Sequence, residues 1–156
     1  MKVKHWLWIF AVLSLLTAAF IWGNSLKNIP ESAAQSSTVA EVVRPVLDPQ
    51  EKLDPPTFHN LVRKLAHLVE FFVLGLFVCG FTLCLGLELK KRLVSMPMLI
   101  VLIVAVTDEF IQYFTERGSQ VTDVALDFAG ALAGLLLAAL IYKCLVKYKN
   151  KSCPTC

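Results

Sequence analysis

The sequence predicts an all-α membrane protein, a bundle of four transmembrane helices with both ends in the cytoplasm. Three observations carry the prediction. Of the 156 residues, 56% are hydrophobic and only 17% are charged. The apolar residues gather in four long runs, not in the stripes of an amphipathic surface helix. The basic residues that flank the runs sit mostly on one side. A globule of this length has no single core large enough for so many unbroken apolar stretches, and lipid accommodates them. The chain reads as one domain, 1–156, with helices over 5–23, 65–87, 94–114 and 123–142. An outer segment covers 24–62 and a cytoplasmic tail 143–156.

The first run, Trp6 to Trp22, follows Lys2 and Lys4 and passes Thr17-Ala18-Ala19. Those are also the marks of a cleaved signal peptide. Its apolar stretch continues through Phe20, Ile21 and Trp22, and that length favours a retained helix. Trp6, Trp8 and Trp22 fall where interfacial aromatic belts are expected.

Nearly forty residues then separate the first helix from the second. Val39, Val42, Val43, Val46 and Leu47 recur at helical spacing, which predicts a short amphipathic element limited by Pro45. It reads as a segment resting on the membrane surface, or alternatively as a lid over an outer pocket. Asp54-Pro55-Pro56 is a helix start, with Asp as cap and Pro in the first turn. From Thr57 the pattern stays helical to Leu87, roughly 45 Å at the helical rise and longer than the ~30 Å hydrocarbon core.

The second run is Phe71 to Leu87, the third Met96 to Thr107 and the fourth Phe128 to Tyr142. The last two are shorter than the about 20 residues a crossing needs. They reach that length only by drawing in Asp108, Glu109 and Gln112 on one and Asp123 and Asp127 on the other. Lys90, Lys91 and Arg92 fill the turn between helices two and three, and Lys143, Lys147, Lys149 and Lys151 follow helix four. With Lys2 and Lys4, nine of the 15 basic residues share one side, which the positive-inside rule makes cytoplasmic. The net charge of +3 needs no nucleic acid to explain it.

None of the five cysteines lies in an outer loop, so no disulfide framework is expected. Cys153 and Cys156 have C-x-x-C spacing, which is half a zinc site or a plain tail. Cys144 is a candidate for palmitoylation.

Counting from the cytoplasmic boundaries places His67, Glu70, Asp108 and Asp127 roughly 24 to 32 Å above them, so three helices bring ionisable groups to one level. Arg63, His67 and Glu70 share a face of the second helix, Glu109 and Gln112 lie together on the third, and Asp123 and Asp127 on the fourth. Gly130 and Gly134 continue that last face, where small residues permit close helix contact. Charge inside a membrane is costly, so these groups should face one another. His67, Glu70, Asp108, Glu109 and Asp127 are the candidate catalytic residues. Arg63, Lys64, Gln112, Arg117 and Asp123 are the candidate ligand-binding residues.

The cations suit a phosphate or carboxylate, and His67 beside Glu70 suits a base with an orienting carboxylate. The carboxylates with His67 can also bind a divalent cation, oxygen-rich sets favouring Mg, Ca or Mn. Apart from Ser119 in the turn, no serine or cysteine at this level has a base beside it, which disfavours covalent hydrolysis. No nucleotide or zinc motif is present. The bland alternative is a structural salt-bridge network, with Arg63 and Lys64 as interfacial anchors and Asp123 as a helix cap. A proton-linked transporter fits worst, because the inner half of each helix lacks the relay groups a crossing needs.

RKLAHLVEFFVLG (Arg63 to Gly75) and DEFIQYFTERGSQVTDVALDFAGALAG (Asp108 to Gly134) resemble the VanZ-like family of bacterial membrane proteins. The serine-rich stretch Ser32 to Val43 does so more weakly. The family pattern falls here on Lys64, His67, Glu70, Asp108, Glu109, Gln112, Arg117, Asp123, Asp127 and Gly130. Asn24-Ser25 departs from its Ser-rich form at the end of the first helix. The resemblance implies a multi-pass protein of the bacterial cell membrane, in contact with the bilayer and linked to teicoplanin-type glycopeptide resistance. Joined to the charge pattern, it yields an expected outer-leaflet pocket that binds or modifies an anionic envelope lipid or a lipid-linked precursor.

Overall fold

The computed structural model describes residues 2–27, 29–50, 52–115 and 120–151, and these form five helices. They are α1 (Lys2–Ser25), α2 (Ile29–Leu47), α3 (Pro55–Leu89), α4 (Ser95–Phe114) and α5 (Val121–Lys151). Helices α1, α3, α4 and α5 are long and apolar enough to cross a membrane. The fifth helix, α2, belongs to the segment between α1 and α3. It extends well beyond the short element its valines suggested, and it holds Pro45 within its last turn. Pro45 has no N–H to return to the Glu41 carbonyl, so it weakens this last turn, and the helix ends two residues later. The expected tail after residue 142 continues instead as helix α5 through Lys151.

Helix α3 is the hub and packs against each of the other four, most extensively α5 and α1. Its 35 residues span about 52 Å, so it overshoots a ~30 Å core and carries α2 on the excess. It starts where expected: the Asp54 side chain accepts the Thr57 N–H, and Pro55 takes the first turn. It stops at Lys90, whose left-handed φ of 52° turns the following Lys91 N–H back to the Gly86 carbonyl at 3.0 Å.

The core between α1, α3, α4 and α5 is built from Ile21, Phe71, Leu74, Val78, Val101, Ala105, Ala131 and Leu135. Trp22 packs against it, so only Trp6 and Trp8 of the three tryptophans present broad exposed faces to the surroundings. Glycines set the α3–α5 distance: a Cβ added at Gly75 would lie 2.2 Å from the Ala131 carbonyl oxygen, and one at Gly134 would lie 2.1 Å from that of Phe72.

A second, smaller core joins α2 to α3 through Ala40, Phe58 and Val62. Arg44 stacks over the Phe58 ring at 5.2 Å and donates to the Leu53 carbonyl. Asp48 closes the corner by accepting the N–H groups of Leu53 and Lys52, which hold its carboxyl below the usual range. Val43 packs against this core, while Val39, Val42, Val46 and Leu47 remain exposed, so most of the apolar stripe of α2 points away from the protein.

Candidate functional site

The ends of α1, α4 and the beginnings of α3 and α5 meet at one end of the bundle, opposite the Lys90 turn. Every described polar residue singled out from the sequence lies there. Asp108 is fully buried, and Asp127, Glu109 and Gln112 are nearly so at 2%, 4% and 5% exposure. His67 brings Nδ1 to 3.8 Å from Asp108 Oδ2, longer than a hydrogen bond. His67, Asp108 and Asp127 each offer a donor atom within 4.8 Å of the others.

Ties between helices surround this centre. Gln112 donates to Asp108 at 2.7 Å and to the Ser25 hydroxyl at 3.3 Å. Thr115 donates to the Ser25 carbonyl. Asn24 donates to Glu70 at 3.1 Å and accepts from Lys27. Glu109 accepts the Gln120 N–H at 3.1 Å, which ties α4 to the start of α5. Lys64 makes a hydrogen-bonded ion pair with Asp123.

Asp127 differs from its neighbours. No described residue donates a hydrogen bond to it, and the carboxylates of Asp108, Glu109, Asp123 and Glu70 lie near enough to repel its charge. It nonetheless lines a narrow cleft, together with Arg63, Lys64, His67, Glu109, Gln112, Asp123 and Leu126. Arg63 faces that cleft without an ion pair to any described residue. No described residue of α2 lines it.

The sequence profile of the VanZ/LLP1 family matches residues 10–142, the greater part of the chain. The chain belongs to the VanZ/LLP1 family. No curated protein and no solved structure matches it. The match and the four apolar helices together make this VanZ/LLP1 protein a multi-pass membrane protein.

Within the cluster, the VanZ/LLP1 chain makes contacts that residue spacing alone does not specify. His67 approaches Asp108, while Glu70 is engaged by Asn24. Asp108 and Glu109 are neighbours about 100° apart on a helix, yet both are buried, the first toward His67 and the second toward Gln120. Asn24 and Ser25, which depart from the expected family form, join the cluster as hydrogen-bonding residues. The available signal was two small polar residues ending an apolar run at the level of the carboxylates. Arg117, Ser119 and the Cys153–Cys156 pair lie outside the described residues. Among those described, Cys79, Cys84 and Cys144 are free.

Proposed function

We propose that the cleft binds the anionic headgroup of an envelope lipid or lipid-linked precursor at the outer face of a bacterial cell membrane. The observation that carries this reading is Arg63: a guanidinium lines the cleft beside several carboxylates and pairs with none of the described ones. A phosphate or carboxylate entering the cleft would meet its planar fork, with Lys64 beside it. Such a ligand reaches the site from the lipid phase, where the headgroup level and the polar end of the bundle coincide. Capture or modification of an envelope precursor would alter the response to teicoplanin-type antibiotics, the link the family resemblance implies.

The test is lipid retention by the purified protein, read by native mass spectrometry against equal anionic and zwitterionic lipid. The wild type should retain anionic lipid preferentially. Arg63→Gln should reduce that preference about tenfold, equivalent to about 1.4 kcal/mol. Arg63→Lys should recover only part of it, because the fork is lost. Equal retention of both lipids by the wild type would refute headgroup binding.

The reading requires N-in, C-in topology, which the nine clustered basic residues support. In intact cells, a cysteine at Gln50 should react with an impermeant maleimide and one at Lys91 should not. The opposite pattern would place the cleft in the cytoplasm and remove the outer-leaflet substrate.

A structural network is the second reading. The Gln112–Asp108, Gln112–Ser25 and Lys64–Asp123 contacts favour it, since each joins or braces helices. It leaves the placement of Asp127 and Arg63 without a reason.

A further inference from the structure

We infer that His67, Asp108 and Asp127 form a binding site for one divalent first-row metal ion, for which Mn²⁺ serves as the probe. The three residues come from α3, α4 and α5, and their donor atoms lie within 4.8 Å of one another. Ligands at about 2.1 to 2.4 Å from a common ion stand up to roughly 4.8 Å apart when opposed, so the present spread needs little movement to close on an ion.

The burial is the second and independent observation. Asp127 is 98% enclosed by the protein, being only 2% exposed, and it lines the cleft without accepting a hydrogen bond from any described residue. A buried carboxylate ordinarily takes such bonds or a cation. Its other close charged neighbours are mostly carboxylates, so a cation is the partner that the local electrostatics favour.

The donor set narrows the ion. Imidazole with two carboxylates is less suited to Mg²⁺ or Ca²⁺, which prefer all-oxygen sets, than to a first-row ion that takes both donor types. No thiolate is in the set, which argues against soft metals. Gln112 holds Asp108 Oδ2 from behind at 2.7 Å, the kind of outer contact that orients a metal ligand. Three protein ligands leave coordination positions open, and the cleft beyond them leads to Arg63. The inference deepens the headgroup reading, because a phosphate bridging the ion and Arg63 would use both features. Ion binding is nevertheless measurable without lipid, so the two fail separately.

The experiment uses the full chain in neutral detergent, stripped with chelator and titrated with Mn²⁺ while the free-ion electron paramagnetic resonance signal is followed. The wild type should take up one ion per chain in a saturable manner, and Mg²⁺ should compete poorly. Asp127→Asn and His67→Gln should each weaken uptake by at least about tenfold. The bound-ion spectrum of the wild type should carry nitrogen hyperfine coupling from an imidazole, a readout independent of whether either variant folds. Absent or unsaturable uptake, or a bound ion without nitrogen coupling, would overturn the site and leave a shared proton as what neutralises the carboxylates. Saturable uptake without any preference for anionic lipid would keep the metal site and remove the headgroup reading.

Discussion

Gly134→Ala is expected to destabilise the protein by about 2 kcal/mol, although alanine favours a helix over glycine by about 1 kcal/mol. The added Cβ would sit 2.1 Å from the Phe72 carbonyl oxygen and 3.0 Å from the Leu76 nitrogen. Both are backbone atoms of α3 and cannot swing aside as a side chain would. The helices must separate, and the packing of Phe71, Leu74 and Ala131 between them is lost along their length. Gly75→Ala should behave alike, since its Cβ would meet the Ala131 oxygen at 2.2 Å. Gly23→Ala is the internal control: nothing lies within 4 Å of the added atom, so only the helix-propensity gain remains. Thermal unfolding of the three variants in one detergent checks the order. A Gly134→Ala protein as stable as Gly23→Ala would mean that α3 and α5 are not held this closely.

Much of this arrangement could be read from residues alone, for physical reasons that also mark where reading fails. Hydrocarbon thickness sets a length, so the four spans were recoverable from their apolar runs, and the shortfall of two of them exposed the carboxylates. Asp54-Pro55 announced the start of α3 because cap chemistry is local. The extent of α2 was hidden: its stabilising contacts, Ala40 on Phe58 and Arg44 over the same ring, come from α3 and not from its own sequence. Pairing inside the cluster was hidden too. Counting residues gives height along a helix, but rotation about the axis decides that His67 meets Asp108 while Glu70 meets Asn24. Ser25 illustrates the same limit, since its role depends on where Gln112 points across the bundle.

The larger question is whether the buried charges hold the bundle together or are held there at its expense. A scaffold places each charge against a partner, and removing one member leaves the other exposed to a low-dielectric surrounding at a cost of about 3 to 5 kcal/mol. Lys64 with Asp123 is paired in that way, although with Lys64 40% exposed the solvent screens most of that cost. Asp127 does not, because its charged surroundings are dominated by like charge and no described donor reaches it. Neutralising it in metal-free protein relieves repulsion to the extent that these carboxylates are ionised, and it breaks no hydrogen bond from a described residue. Asp127→Asn should therefore keep or raise stability, by up to about 2 kcal/mol, while ligand binding is lost. Glu109→Gln should also fold, since the amide oxygen can still accept the Gln120 N–H.

The most direct measurement is the unfolding temperature of chelator-stripped wild type and Asp127→Asn, run beside anionic-lipid retention by the same proteins reloaded with Mn²⁺. A ligand site predicts an equal or higher unfolding temperature for Asp127→Asn together with lost lipid preference. A lower unfolding temperature with lipid preference unchanged would contradict it and make the cluster a helix-packing network.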